Sequence, residues 1–329
     1  MKRLRTWLIV LALLGVVAYL ALKVFSNPEE LSQSFANFEW RLLPLILLLS
    51  FLNYIIRFLR WDFYCRKLAL KVRRRQNIAI FGAGLVATIT PGKAGELVKS
   101  FLLKENLGTA VSRSAPMILV ERVLDFISLL LLSVAAMLIC SLLKSQVATN
   151  NLYLIGASIF LVLLIVGLII ATILVKRNIS TRFTRFSRIL DWIRHFLTTT
   201  RSLFDWRTMI VSLGFSLPAW FAECAGFYFT LRGFGLTLPL AMCVFIYCLA
   251  SIVGALTFLP GGLGGAEASM IGLLHSYGVA SPEAVASTVV IRACTLWFAV
   301  LVGFIAFSIY NIPIHKKMRN GLLEQRREI

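Results

Sequence analysis

The apolar runs of this chain decide most of what it can fold into. Six of them, at 7–25, 42–64, 116–143, 152–175, 208–231 and 284–311, are long enough to cross a bilayer, which takes about 20 helical residues. Two more, 78–103 and 236–276, contain Pro-Gly breaks. In hydrocarbon every backbone N–H and C=O needs a partner within the protein, so such runs become helices. A break is tolerated only where protein buries it or water reaches it. The expected fold is an all-α polytopic membrane protein with about six full spans plus two broken, re-entrant ones, in a single domain over 1–329. Composition agrees: 15% of residues are charged, against about 25% in soluble domains. The stretch 236–258 is long enough to span alone, so eight full spans remain open for part of this arrangement.

A net charge of +19 would suggest nucleic acid in a soluble chain. Here its distribution orients the spans instead. With both broken segments re-entrant, one side holds 1–6, 65–77, 104–115, 176–207 and 312–329, which carry 24 Lys and Arg. The other side holds 26–41, 144–151, 232–235 and 277–283, with only Arg41, Lys144 and Arg232. The first side is read as cytoplasmic, with both termini there and anionic lipid as its partner; no nucleic acid is expected. Lys2-Arg3-Leu4-Arg5 before an apolar run imitates a signal peptide, but no clean cleavage site follows, so 7–25 is read as an uncleaved first helix. Between 179 and 204, Ile179, Phe183, Phe186, Leu190, Ile193 and Leu197 fall on one helical stripe. That pattern predicts a cytoplasmic amphipathic helix, lying in the membrane interface or packing under the bundle.

The two breaks resemble each other. Thr90-Pro91-Gly92-Lys93-Ala94-Gly95-Glu96 is echoed by Leu259-Pro260-Gly261-Gly262-Leu263-Gly264-Gly265-Ala266-Glu267. Arg122 follows Glu96 by 26 residues and Arg292 follows Glu267 by 25, each inside another apolar run. The first half reads long run, break, long run over 42–143; the second does so over 208–311, in the opposite sense across the bilayer. This is the pattern of an inverted-topology repeat, in which interrupted segments mark the substrate site.

Ionisable groups at such depth are candidate functional residues. Pro91, Gly92, Lys93, Gly95 and Glu96 in the first half, with Pro260, Gly261, Gly262, Gly264 and Glu267 in the second, are candidate substrate-binding residues. The helix after each break offers free N–H groups and a positive dipole end, which suit an anion. Lys93 adds a formal charge. Glu96 and Glu267 suit first-turn positions, either as caps or as partners of an arginine. Glu121, Arg122 and Asp125 place three charges within little more than one turn, and Arg292 lies about eight residues into its span. One carboxylate–guanidinium pair per half is one reading of these residues; a guanidinium that grips phosphate bidentately is the other. Arg57 and Arg60, near the cytoplasmic end of 42–64, are secondary candidates because an arginine there can snorkel to the headgroups. Glu223, mid-span with no obvious partner, is a third.

Other motifs carry little. Gly82-Ala83-Gly84-Leu85-Val86-Ala87 matches a dinucleotide fingerprint, but no βαβ unit surrounds it. His195, His275 and His315 form no ligand set, and six cysteines without a CxxC read as small apolar residues. No metal, cofactor or catalytic set is expected.

Pro-Gly-Lys-x-Gly-Glu at 91–96, Glu-Arg-x-x-Asp at 121–125, Pro-Gly-Gly-Leu-Gly-x-x-Glu at 260–267 and Arg60-Trp61, in this order, resemble the lysylphosphatidylglycerol synthase transmembrane-region family. The resemblance runs over roughly 40 to 310. It implies a flippase-like domain that moves a lipid headgroup between leaflets, with paired re-entrant helices. The bifunctional members continue into a soluble aminoacyl-transferase domain, whereas this chain ends fourteen residues past His315, so lysyl-lipid synthesis is not implied. The expected function is a non-enzymatic transporter of an anionic or phosphate-bearing lipid, of phospholipid or polyprenyl-phosphate type, in an inner membrane. The alternatives are a membrane-embedded glycosyltransferase or other lipid-modifying enzyme, and a non-transporting scaffold.

Overall fold

A computed structural model describes residues 28–90, 94–142 and 187–309. The expected spans 7–25 and 152–175, and the Pro91, Gly92 and Lys93 of the first break, lie outside the described residues. Among the described residues every regular element is a helix. A short α1 (Pro28–Ala36) precedes α2 (Leu43–Lys67), which a 3-10 turn at Trp40–Leu42 extends backward. There follow α3 (Arg74–Val86), two 3-10 turns (Ala87–Ile89 and Ala94–Leu97), α4 (Val98–Leu107) and α5 (Val111–Leu142). The second half has α6 (Ser187–Leu203), α7 (Trp206–Gly233), α8 (Leu240–Leu256), α9 (Gly265–Ser276) and α10 (Ser281–Arg292), which continues through a π-helical segment (Ala293–Trp297) into α11 (Phe298–Ile309).

Four continuous helices, Trp40–Lys67, Val111–Leu142, Trp206–Gly233 and Ser281–Ile309, are long and apolar enough to cross a membrane. The pieces around the breaks are shorter. α3 and α4 have 13 and 10 residues, about 20 and 15 Å of helix, well under a hydrocarbon core of about 30 Å. α8 runs only 17 residues before the chain turns, so the apolar stretch 236–258 folds back as one limb of a hairpin. Small residues make that hairpin close: a methyl group at Gly254 would sit 2.7 Å from the Cβ of Ala266.

The exterior is apolar as well as the core. On α2, Leu48, Phe51, Leu52, Ile55 and Leu59 face outward, while Ser50, Asn53 and Arg60 are buried beside Ile46, Tyr54 and Trp61. An apolar exterior with polar groups held inside suits lipid surroundings. The buried polar groups then join the helices. The amide of Asn53 donates to the carbonyl of Ala219 on α7 at 2.7 Å. Trp61 Nε1 donates to Asn77 on α3, whose own amide donates to Asp62.

Helix pairing follows the repeat. α2 packs on α7, the first helix of one half on the first of the other. α3, the first limb of one break, packs on α11 at the end of the second half. Reciprocally α8, the first limb of the other break, packs on α5 at the end of the first half. Such an exchange, i with j and j with i, is what a two-fold relation produces. The α3–α11 crossing explains half of the Gly-x-Gly pattern. A methyl group at Gly82 would lie 2.9 Å from the Gly303 carbonyl oxygen, and one at Gly303 would lie 2.5 Å from that of Gly82. α6 packs against α5, with Leu203 buried; of the stripe read over 179–204, positions 179–186 lie outside the described residues.

Candidate functional site

Each break has a threonine at its start that the sequence motifs do not single out. Thr90 Oγ1 donates to the Ala87 carbonyl and accepts the N–H of Gly95 across the first break, each at 2.7 Å. Thr257 Oγ1 donates to the Gly254 carbonyl at 2.8 Å at the start of the second. Each threonine side chain occupies the space a Cβ would need on the glycine opposite: a methyl group at Gly95 would lie 2.6 Å from Thr90, and one at Gly265 would lie 2.5 Å from Thr257. The second break then turns through three left-handed glycines, Gly261, Gly262 and Gly264, at φ of +62°, +68° and +86°. Side chains with a Cβ avoid that region. Phe258 adopts φ of +52° beside them, a strained value for a bulky residue. The two breaks meet: a methyl group at Gly261 would lie 3.8 Å from the Cα of Ile89, two residues before Pro91.

The matched spacings deliver one ion pair in each half. Arg122 Nη2 lies 3.4 Å from Glu96 Oε2. Arg292 Nε donates to Glu267 Oε1 at 2.6 Å. Around the second pair the bonding is closed. Arg292 Nη2 donates to the Gly261 carbonyl at 2.7 Å, and the Gly264 N–H donates to Glu267 Oε2 at 2.7 Å. Glu267 is therefore both a helix cap and an arginine partner. The π-helical segment begins directly after Arg292, and the hydroxyl of Tyr54 donates to its Thr295 carbonyl at 2.5 Å. π segments often accompany functional positions in helices.

The first pair belongs to a larger network. Arg60 Nη1 donates to Asp125 Oδ1 at 2.7 Å and to the hydroxyl of Ser216 on α7. Arg57 approaches Asp125 to 3.9 Å and Arg122 Nη2 approaches it to 2.9 Å. Lys99 Nζ donates to Glu121 Oε2 at 2.6 Å, lies 3.5 Å from Glu96, and sits 4.4 Å over the Trp61 ring. Four cations (Arg57, Arg60, Lys99, Arg122) thus face three carboxylates (Glu96, Glu121, Asp125), one positive charge in excess. Several buried atoms here have no hydrogen bond: Nε and Nη2 of both Arg60 and Arg122, and Oδ2 of Asp125. Arg122 Nη2 and Asp125 Oδ2 are close enough for an ion pair but not aligned for a hydrogen bond. Buried guanidinium donors left open in this way are rare and call for a physical reason.

Each expected residue among the described ones has a definite place; Pro91, Gly92 and Lys93 lie outside them. Glu96, Glu121, Arg122 and Asp125 come together, and Gly95 holds the break beside them. Gly261, Gly264, Glu267 and Arg292 form the second group, with Pro260 and Gly262 in its turn. Arg57 and Arg60 join the first network. Snorkelling does not apply to Arg60, which is 1% exposed, because Asp125 and Ser216 hold it inward. Glu223 accepts a 2.8 Å hydrogen bond from the Tyr247 hydroxyl on α8.

Lys99 is the residue that the motifs pass over. It is fully buried, and Gly84 makes room for it: a Cβ there would be 2.7 Å from Lys99 Cδ. The same signal that singles out Glu96, an ionisable group inside an apolar run, applies to Lys99 as well.

Comparison with known proteins agrees with the architecture. The family described as the lysylphosphatidylglycerol synthase TM region matches residues 7–303. Two UPF0104 membrane proteins of Methanothermobacter thermautotrophicus are similar to the chain. One is 27% identical, covering 95% of this chain and 96% of the relative; the other is 24% identical, covering 95% and 98%. A UPF0104 membrane protein of Methanocaldococcus jannaschii is 25% identical over 71% of this chain and 98% of its own length.

Proposed function

We infer the function from a fixed starting point: the chain belongs to the lysylphosphatidylglycerol synthase TM region family. It moves the phosphate-bearing headgroup of an anionic membrane lipid between the leaflets of a cytoplasmic membrane, without covalent chemistry. The headgroup passes the paired breaks while the tails stay in the bilayer. The main barrier to lipid exchange is desolvation of a charged headgroup, and a polar path through the protein lowers it. One observation carries this reading. The network at the first break has one positive charge in excess and leaves the Nε and Nη2 donors of Arg60 and Arg122 without an aligned hydrogen bond. A phosphate monoanion supplies the missing charge and accepts from guanidinium bidentately. Lys93, which precedes Glu96 by three positions, adds a further cation to the same break. The termini lie in the cytoplasm, a reading supported by the 24-to-3 division of Lys and Arg.

Reconstitution tests it. Proteoliposomes carrying tail-labelled phosphatidylglycerol or a short polyprenyl phosphate should exchange the label between leaflets faster than protein-free vesicles, and mass spectrometry should find the lipid unchanged. Lys93→Ala should weaken headgroup binding by about 1.5–3 kcal/mol, the worth of a charged hydrogen bond, or roughly ten- to hundredfold. Lys93→Arg should retain most of it. Covalently altered lipid would indicate an enzyme instead; no exchange of either probe would remove support for transport.

A further inference from the structure

A second polar and apolar junction lies away from the breaks, where the end of α2 meets the start of α3. It encloses about 340 Å³, within the range of small-molecule sites, roughly 300–1,000 Å³. One wall is apolar, formed by Phe58, Leu59 and Val72. The other carries Arg66 and Arg74, with Asp62 and Asn77 at the base. Both arginines are exposed, and Asn77 is buried with its oxygen and nitrogen already engaged by Trp61 and Asp62. The polar atoms of Asn77 are therefore satisfied, while Arg74 and an Arg66 paired with Asp62 supply the cations of the cleft. The surrounding segment 66–75 carries six basic residues: Arg66, Lys67, Lys71, Arg73, Arg74 and Arg75. No carboxylate interrupts that segment. Asp62 is the acidic group facing Arg66, and it is shared with the Asn77 amide.

We propose that this cleft is a separate binding site for an anionic phospholipid of the cytoplasmic leaflet. Arg66 and Arg74 take the phosphate, and one acyl chain lies along Phe58 and Leu59. The occupant follows from the lining. A soluble anion has no use for the apolar wall, and Leu59 at 45% exposure continues the outward lipid-facing surface of α2 directly into the cleft. A zwitterionic lipid would leave the six-cation segment uncompensated, whereas anionic leaflets attract such basic segments. The central network has its own cations, Arg57, Arg60, Lys99 and Arg122. The site consequently stands whether or not the protein moves lipid.

The test uses the full chain in nanodiscs with phosphatidylglycerol or phosphatidylcholine bearing a photoreactive group near the glycerol, and maps cross-links by peptide mass spectrometry. Phosphatidylglycerol should label peptides within 62–77, with phosphatidylcholine lower by about tenfold, the factor that corresponds to about 1.4 kcal/mol. Arg66→Gln/Arg74→Gln should bring phosphatidylglycerol labelling down to the phosphatidylcholine level. Arg66→Lys/Arg74→Lys, which keeps the charge, should retain most of it and serves if the glutamine pair folds poorly. Millimolar inorganic phosphate should not compete. Equal labelling by the two lipids, labelling indifferent to the glutamine pair, or loss of labelling to inorganic phosphate would each overturn the proposal.

Discussion

The two breaks share a scaffold and differ in how completely their charges are answered. At the second, Arg292 and Glu267 satisfy each other, and the Gly261 carbonyl and Gly264 N–H take up further valence. At the first, seven charged side chains share a space in which four guanidinium nitrogens find no hydrogen bond. Position +3 from the glutamate marks the divergence: Lys99 follows Glu96, whereas Met270 follows Glu267. Both halves carry a threonine beside the break and a carboxylate–arginine pair, while the further cations lie in one. The closed pair fixes a glycine-rich turn. The first network is the half whose guanidinium donors are less completely hydrogen-bonded.

Charge balance gives the sharpest way to break this comparison. Asp125→Asn leaves four cations facing two carboxylates, with Arg60 still buried. Removing one partner of a buried pair costs about 3–5 kcal/mol, and denaturant titration in detergent should register a loss of that order. Arg60→Met leaves three cations facing three carboxylates, so it should cost less despite the lost Ser216 contact. Equal losses would mean that the network is not short of negative charge.

Double-mutant cycles compare the pairs directly. Glu267→Gln with Arg292→Met should give a coupling of about 1.5–3 kcal/mol, as expected for an aligned charged hydrogen bond. The cycle of Glu96→Gln with Arg122→Met should give a smaller one, because Arg122 divides its charge between Glu96 and Asp125. A larger coupling in the first half would reverse the assignment of open and closed.

Glycine substitutions probe the frame with smaller effects. Gly303→Ala meets the backbone oxygen of Gly82, and Gly84→Ala meets the flexible stem of Lys99. Overpacking costs about 1–3 kcal/mol; Gly303→Ala should fall at the upper end and Gly84→Ala at the lower. Thermal unfolding of the two variants measures the order, and Gly84→Ala combined with Lys99→Met should recover part of the loss if the lysine stem is the obstacle.

Much of the molecule is legible in the sequence because hydrocarbon makes exceptions conspicuous. Glu96, Arg122, Glu267 and Arg292 stand out inside apolar runs, and their offsets of 26 and 25 residues foretell the two pairs. The closure of 236–258 into a hairpin is expected from the Pro-Gly break, but length alone also permits a span; the Gly254–Ala266 contact that decides it exists only after folding. Arg60 sits near a span end, where sequence cannot distinguish pointing inward from snorkelling; its partner Asp125 is 65 residues away. The threonine locks escape notice because Thr90 and Thr257 stand at different distances from their prolines. Gly82 and Gly84 look like half of a nucleotide motif, yet packing uses them differently, since Gly82 admits α11 and Gly84 admits Lys99.

The central claim is that the first break, and not the second, holds the headgroup. The direct measurement is the rate of leaflet exchange of tail-labelled phosphatidylglycerol in proteoliposomes containing Arg122→Gln or Arg292→Gln, at matched amounts of folded protein. Arg122→Gln should slow exchange roughly ten- to hundredfold, the worth of a charge-assisted hydrogen bond to the substrate, and Arg292→Gln should slow it far less. A loss for Arg292→Gln that equals or exceeds the loss for Arg122→Gln would contradict the account.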